Sequence, residues 1–411
     1  MNDRNILRNL AGQIAEIAAL DIQKENRKLH RAVNNRKMIR PVVLLAELPW
    51  NQLNGDGELT LQCEDPTLRW VEEGMRRTLY QWHHCPGDML VDPFFLLDRS
   101  VGIGDIGVSQ PQGEVVMADK GNNIVSRHLE DQLSTFEAVE KLHVPEIIVD
   151  NERTERQFNQ LNDVFGDILP IRLHGNSYIG SFAPWDDIAW WRGVQSIYMD
   201  LYDNPELLHA TMRKIVDIKM AVLDKLEALD LLDPYMPYVH CTAALVDDLP
   251  GEIQNGHVTA KNLWGRGTAQ AFASVSPAMH DEFEVEYVKD YFSRFGLLYY
   301  GCCEPLHNKI DIIRKFPNLR KISITPWADV RIAAERMGSE YVMARKPNPA
   351  AVAVPHLDED TLRKDILETL EVCRENGTSV EFTLKDISSV NYNPENLTRW
   401  EKVVMETVKN F

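Results

Sequence analysis

The chain has 411 residues, 44% hydrophobic and 26% charged, and its 62 acidic against 44 basic residues give a formal net charge of −18. This acidic balance argues against nucleic acid as a partner, because phosphate binding needs a surface rich in Lys and Arg. The sequence has no run of about 18 apolar residues and no apolar signal core at its N-terminus, so we expect a cytoplasmic protein that does not cross a membrane.

Residues 5 to 35 predict a polar amphipathic helix, because apolar residues recur there at helical spacing among charges. Arg40-Pro41 then introduces the first of several short apolar runs, which are typical of buried parallel strands. Strands are predicted at 42–48, 87–92, 168–174, 238–241, 297–300, 319–324, 340–344 and 379–384. Helices are predicted at 66–80, 153–165, from 205 onward, 277–295, 306–316, 330–337 and 360–374.

About eight alternations of strand and helix favour an α/β fold of the closed (β/α)₈ TIM barrel type over an open, doubly wound sheet. The expected organisation is an N-terminal helical extension, residues 1–35, followed by one barrel domain, residues 36–411. Glycines between residues 102 and 107 have a spacing related to the dinucleotide-binding fingerprint. They precede a stretch that predicts a hairpin at about 108–127, and the fingerprint requires a strand-to-helix turn instead.

In a barrel, functional residues lie on the loops that follow the carboxyl ends of the strands. The densest such point is Gly301-Cys302-Cys303-Glu304, which His307 follows in the first turn of the next predicted helix. Thiolate, imidazole and carboxylate together suit zinc. We expect its ligands among His240, Cys302, Glu304 and His307. The alternative is that the two thiols fill the barrel rim while Glu304 and His307 are solvated.

Aromatic and basic residues also cluster near the predicted strand ends and their loops, which indicates an apolar pocket for a small organic substrate. The candidate substrate-binding residues are His174, Tyr178, Trp264, Trp327, Arg345 and Lys385.

Two longer segments carry a family resemblance. The first is Asp203-Asn204-Pro205-Glu206-Leu207-Leu208-His209 behind Trp191-Arg192-Gly193, and the second is Val275-Ser276-Pro277-Ala278-Met279-His280-Asp281-Glu282-Phe283 with Tyr287 following. The chain resembles the uroporphyrinogen decarboxylase superfamily over about residues 36–405. Three shorter segments follow the same order as in that superfamily: Arg40-Pro41-Val42, Leu142-His143-Val144-Pro145 and Asn393-Pro394-Glu395-Asn396-Leu397. The resemblance implies a (β/α)₈ barrel, in a superfamily of decarboxylases and cobalamin-linked methyltransferases.

The decarboxylases of that superfamily carry arginines after the first strand that bind tetrapyrrole carboxylates. This chain has Ala46-Glu47-Leu48-Pro49-Trp50 there, and a carboxylate would repel a polyacidic porphyrinogen. The methyltransferases bind zinc through His-x-Cys at the fifth strand and a later Cys near the last strand. Here only Cys302 of Tyr300-Gly301-Cys302 matches, and the last position falls near Lys385-Asp386.

The resemblance therefore implies a methyltransferase that moves a methyl group between a small O- or N-methylated compound and a corrinoid. The chain lacks the Asp-x-His-x-x-Gly cobalamin signature, so the corrinoid is expected on a partner protein. Zinc would polarise the leaving oxygen, and Glu47, Asp92 or Glu381 would manage protons. A homodimer is compatible with this interpretation.

Two other interpretations stay open. One is a metal-free decarboxylase or lyase that holds a small carboxylated substrate through Arg345, Lys346 or Lys385. The other is a catalytically silent barrel that binds a small ligand or a partner protein.

Overall fold

The computed structural model describes residues 2–108, 113–119, 124–176 and 178–411, without the side chains of 109–128 and 177–178. Its helices are α1 (Asp3–Ala18), α2 (Asp21–Asn34), α3 (Pro66–His84), α4 (Phe136–Glu140), α5 (Asn151–Phe165), α6 (Pro184–Arg192), α7 (Val194–Asp203), α8 (Pro205–Ala228), α9 (Pro277–His280), α10 (Glu286–Ser293), α11 (Ile310–Ile313), α12 (Val330–Met337), α13 (Glu359–Asn376) and α14 (Glu395–Asn410). Its strands are β1 (Val42–Leu45), β2 (Phe95–Asp98), β3 (Val101–Ile103), β4 (Gly113–Asp119), β5 (Ile124–Leu129), β6 (Ile147–Val149), β7 (Ile171–His174), β8 (Ser181–Phe182), β9 (Tyr238–Val239), β10 (Thr242–Ala243), β11 (Trp264–Gly267), β12 (Leu297–Tyr300), β13 (Leu319–Ile324), β14 (Val342–Arg345) and β15 (Ser379–Leu384).

A parallel sheet of seven strands, in the order β1-β15-β14-β13-β12-β11-β8, forms the centre of the fold. Strands β1, β12, β13, β14 and β15 are buried along their whole length, as continuous apolar runs predict for parallel strands covered on both faces. The mixed α/β class is therefore confirmed. Within the described residues the edge strands β1 and β8 do not pair with each other, so closure into a barrel stays a prediction.

Two predicted strands adopt other structures. Residues 87–92 form no strand: the Asp88 amide donates to Val43 of β1, but the amides of Leu90 and Val91 donate to the side chains of Tyr238 and Gln23. The predicted strand at 238–241 is half of an antiparallel hairpin, in which β9 pairs with β10 through a two-residue turn. This hairpin lies against the sheet and contributes directly to the candidate site.

Several helices match the sequence pattern, whereas the helix predicted at 306–316 is only α11 (Ile310–Ile313) and the one predicted at 277–295 is divided into α9 and α10. Helix α13 shows the reason for a match. Asp358 caps its first turn by accepting from the amide of Thr361, and Gly377 ends it with the left-handed φ of 67° that a C-terminal cap favours. The N-terminal segment differs, because its single predicted helix is two helices, α1 and α2, separated at Ala19-Leu20.

The two faces of the sheet have different partners. One face, which we call the inner face, carries Val42, Leu44 and Tyr299 and packs against the β9–β10 hairpin and helix α2. The opposite face packs against the surrounding helices in the main hydrophobic core. The hairpin predicted at about 108–127 is formed by β4 and β5, which pair antiparallel. No helix in the described parts of the chain is long and apolar enough to cross a membrane.

Candidate functional site

The candidate site lies where the parallel strands end. Glu47 follows β1, Cys302 follows β12, and Lys385 with Asp386 follows β15. Because the carboxyl ends of parallel strands meet at one edge of a sheet, these side chains converge. The amide of Asp386 donates to Glu47 at 3.1 Å, and the Lys385 ammonium lies 3.7 Å from the same carboxylate.

The β9–β10 hairpin brings two further ligand-type side chains to this edge. Its two-residue turn consists of His240 and Cys241, with φ values of 39° and 47°. Two positive φ angles are typical of the tight hairpin turn that normally takes Asn-Gly. The turn places the Cys241 thiol 3.2 Å from Glu47 and the His240 imidazole 3.2 Å from the sulfur of Cys302.

Backbone strain concentrates at this point. Among the non-glycine residues with positive φ are Glu47, His240, Cys241 and Asp386, all of which belong to the cluster. Each such residue costs of the order of 1 kcal/mol or more and persists only where the surrounding structure holds it. Strain of this kind is common at functional sites, so it supports a functional interpretation of the cluster.

The adjacent thiols of Cys302 and Cys303 also belong to the cluster. The Cys302 sulfur is 3.5 Å from that of Cys303 and accepts from the Lys385 ammonium at 3.2 Å. The Cys303 contact, followed by His240 and Lys385, lowers the pKa of Cys302, although burial alone would raise it. This shift favours the thiolate of Cys302 at neutral pH, which is the form that acts as a nucleophile or a metal ligand.

The charge of Lys385 balances that thiolate. Burial alone would lower the pKa of Lys385, but the negative charges of Cys302, Asp386 and Glu47 raise it. Its ammonium lies 3.2 Å from both the Cys302 sulfur and Nε2 of His240. Burial lowers the pKa of His240, so the imidazole at this contact is neutral.

One subset of the cluster can hold a metal ion. The donor atoms of Glu47, His240 and Cys241 lie within 4.8 Å of one another. Carboxylate, imidazole and thiol are ligands that zinc takes, and three protein ligands with an open position are typical of catalytic zinc. Of the four predicted ligands, His240 belongs to this subset and Cys302 lies beside it.

The other two predicted ligands are placed differently. Glu304 is fully buried and accepts from the amides of Cys302 and Ala269 and from the Thr268 hydroxyl, at 2.7–3.1 Å. It therefore fixes the loop that carries Cys302. No hydrogen bond links His307 to Cys302 or His240 among the described residues.

Gly301 makes the turn that aims Cys302. Its φ is 102°, and an added Cβ would meet Leu306 at 2.5 Å and Ser323 at 3.0 Å. We expect Gly301→Ala to lower the free energy of unfolding by about 2–4 kcal/mol, from overpacking and backbone strain. Urea unfolding measures the loss. Gly338→Ala is the matched control, because Gly338 also has positive φ but open space around it; an equal loss in both variants would contradict the crowding argument.

Apart from Tyr178, the remaining predicted residues lie outside the cluster, and most of them make structural contacts. Asp92 binds Arg27 and the Tyr235 hydroxyl, His174 binds Asp98, Arg345 binds Thr325 and Asp365, Trp264 is buried and donates to Ala244, and Trp327 is 68% exposed. Glu381 lies on the inner face, paired with Lys321 at 2.9 Å. The side chain of Tyr178 lies outside the described residues. Sequence reasoning left Cys241 and Asp386 out of its candidate set, although each directly follows a candidate.

A cavity of about 640 Å³ lies close along the chain to the cluster, because Leu48 and Ile387, which line it, directly follow Glu47 and Asp386. Trp50, Asn54 and Arg77 also line it. The cavity is partly apolar, as sites for small organic substrates are.

The thiolate state of Cys302 predicts a pH-dependent reactivity. In protein stripped of metal, iodoacetamide should keep alkylating Cys302 well below the pH at which an ordinary thiol of pKa about 8.5 stops reacting. Peptide mapping by mass spectrometry at several pH values measures this. Cys241, whose pKa burial raises to about 12, is the internal control. If the labelling of Cys302 falls as early as that of Cys241 when the pH is lowered, the result would contradict the lowered pKa of Cys302.

Comparison with known proteins gives little further guidance. No family profile and no curated protein matches the sequence. Among solved structures, a methyltransferase from Methanosarcina mazei is similar, with a TM-score of 0.48 and 12% sequence identity over 92% of this chain and 97% of that one. A likeness at this level carries no argument about activity.

Proposed function

We propose that this chain is a methyltransferase that moves a methyl group between a small O- or N-methylated compound and a corrinoid on a separate protein. The observation that carries the proposal is the group formed by Glu47, His240 and Cys241 at the carboxyl edge of the sheet, beside the Cys302 thiolate. The sequence resemblance to cobalamin-linked methyltransferases supports it. The proposal includes a sheet that closes into a barrel. Its support is the hydrogen bond from the Asp88 amide to the carbonyl of Val43, because the backbone bonding then continues past the edge strand β1.

The cluster is suited to zinc by the chemistry of its donors and by its charge. Glu47, Asp386 and the Cys302 thiolate bring three negative charges to a site whose nearby cations include Lys385, Lys346 and Arg266. Glu47, His240 and Cys241 would hold the metal. Bound there, zinc would supply Lewis acidity toward the oxygen or nitrogen that carries the methyl group.

The side chains of the chain itself perform the remaining tasks. Methyl transfer to cob(I)alamin would break the bond between the methyl carbon and its oxygen or nitrogen and form a cobalt–carbon bond. An oxygen leaving group requires one proton, whereas a quaternary or protonated amine leaves as the neutral amine and requires none. The half-exposed side chains of Glu47 and Asp386 show that the cluster is open to water, so water can supply that proton. Lys385 holds Cys302 as thiolate, and the neighbouring cavity would hold the rest of the substrate.

A direct assay tests this proposal. The zinc-loaded chain is incubated with free cob(I)alamin and a panel of methanol, methylamines, betaine and methoxylated benzoates, and the visible spectrum reports methylcobalamin. We expect at least one compound to be demethylated by the wild type and not by Cys241→Ser. Cys373→Ser is the control, because Cys373 is a buried thiol that contacts Met343. Absence of transfer from every compound, with zinc bound, would contradict the proposal.

A second candidate function has one observation in its favour. The Lys385 ammonium already lies between the Cys302 sulfur and His240, at 3.2 Å from each, where it acts as an internal cation. This arrangement favours a metal-free decarboxylase or lyase that binds a small carboxylated substrate. Release of carbon dioxide from such a substrate by chelator-treated protein would support this candidate over methyl transfer.

A further inference from the structure

Lys346 is a buried cation that the proposed chemistry leaves unused. It directly follows β14 and is 4% exposed, and its ammonium nitrogen has no hydrogen-bond partner among the described residues. Its ammonium lies over the ring of Tyr299, 5.9 Å from the centroid, which is a weak cation–π contact. An ammonium without a partner in a protein interior costs several kcal/mol, so such groups normally bind an anion.

Two hydroxyl groups flank Lys346 on the neighbouring strands. The pairing Ser323↔Ala344, continued by one step on the same face, places Thr325 beside Lys346. The pairing Ala344↔Glu381, continued in the same way, places Thr383 on its other side. The Lys346 amide donates to the carbonyl of Ile324 at 2.8 Å, so the ladder does continue to this level.

The hydroxyls of Thr325 and Thr383 both resemble the Lys346 ammonium in being buried and without a hydrogen-bond partner among the described residues. Buried polar atoms are normally satisfied, and three unsatisfied ones side by side on adjacent strands indicate a missing common partner. The ammonium and both hydroxyls can donate to one common acceptor, and the charge of the ammonium favours an acceptor that is an anion.

The position of this group links it to the candidate site. Lys346 directly follows β14, and the neighbouring strand β15 ends just before Lys385 of the cluster. Burial lowers the pKa of Lys346 to about 8, and the negative charge of Glu381 opposes that shift. We propose that Lys346, Thr325 and Thr383 form a subsite for a carboxylate group of the substrate. A carboxylate carries one charge and two oxygens, which suits one cation and two hydroxyl donors.

This inference rests on the proposed function. It restricts the methylated substrate to compounds that also bear a carboxylate. N-methylated amino acids and methoxylated carboxylic acids belong to that class, whereas methanol and simple methylamines do not. Binding of the anion itself requires neither zinc nor a corrinoid, so it can be measured separately from methyl transfer.

The test is calorimetric titration of the full chain with acetate, with acetamide as the neutral analogue and inorganic phosphate as a different oxyanion. We expect acetate to bind the wild type more tightly than either. Lys346→Met should weaken acetate binding about tenfold or more, because a charge-assisted hydrogen bond is lost. Thr383→Val should weaken it less, and Lys364→Met, which removes an exposed lysine of α13, should leave it unchanged.

Lys346→Met should also melt at a temperature no lower than that of the wild type, because it removes a buried ammonium that has no hydrogen-bond partner among the described residues. That expectation keeps a loss of acetate binding from being explained by misfolding. Equal acetate affinity in Lys346→Met and wild type would overturn the proposal, as would no acetate binding by the wild type. Tighter binding of phosphate than of acetate would overturn the assignment to a carboxylate. Failure of methyl transfer with all carboxylated compounds, with acetate binding intact, would count against the proposed function alone.

Discussion

Replacing His240-Cys241 by Asn-Gly is expected to stabilise the protein while removing its zinc and its methyl transfer. Both residues have positive φ, at 39° and 47°, in a two-residue hairpin turn. Asn and Gly adopt that conformation readily, whereas other residues pay about 1–2 kcal/mol each. The double variant should therefore gain about 1–3 kcal/mol in free energy of unfolding.

Urea unfolding and a zinc assay on the same preparation test this expectation. Tyr392→Gly is the matched control, because Tyr392 has a φ of 53° and a 69% exposed side chain, and it contacts no member of the cluster among the described residues. The control should also relieve strain, yet keep zinc and activity. A double variant less stable than the wild type would show that the turn supports the fold rather than the chemistry.

Lys321→Met is expected to have the largest effect on stability. Lys321 and Glu381 are both fully buried on the inner face, 2.9 Å apart, and the Lys321 ammonium also donates to the carbonyl of Ala243 in the hairpin. Burial lowers the pKa of Lys321, with Glu381 opposing that shift. Removing one partner leaves the other charge buried and unpaired, which costs about 3–5 kcal/mol.

The double variant Lys321→Met/Glu381→Met separates a structural role from a chemical one. It removes both charges, so it should recover most of the stability lost in Lys321→Met. Glu381 was a candidate proton carrier, and its pairing with Lys321 predicts that its main contribution is to anchor the hairpin beneath the site. Failure of the double variant to recover stability, as measured by urea unfolding, would contradict this account of the pair.

The main sheet was predictable because its strands are buried on both faces. The strands predicted at 297–300, 319–324 and 379–384 have the same bounds as the observed strands, because continuous apolar runs require cover on both faces. The segment at 87–92 has a similar apolar pattern but bonds to the side chains of Tyr238 and Gln23. Those partners come from distant parts of the chain, and local periodicity contains no information about them.

The site was predictable where strand ends determine position. Glu47, Cys302 and Lys385 follow strands, and the rule that function lies at carboxyl ends brings them together. Cys241 was missed because the positive φ that turns it toward Glu47 has no Gly or Asn to mark it. Glu304 was selected by its spacing from Cys302, but its carboxylate turns back to the amide of that same residue.

The metal content of the full chain tests the central claim most directly. After expression with added zinc, elemental analysis should find one zinc per chain. Cys241→Ser should weaken zinc affinity about 100-fold or more in competition with a chelator, since even partners outside the ligand set change affinity by 10–100-fold. Cys373→Ser, at a buried thiol that contacts Met343, should match the wild type. A wild-type chain without zinc, or equal zinc affinity in Cys241→Ser, would contradict the claim that Glu47, His240 and Cys241 form a metal site.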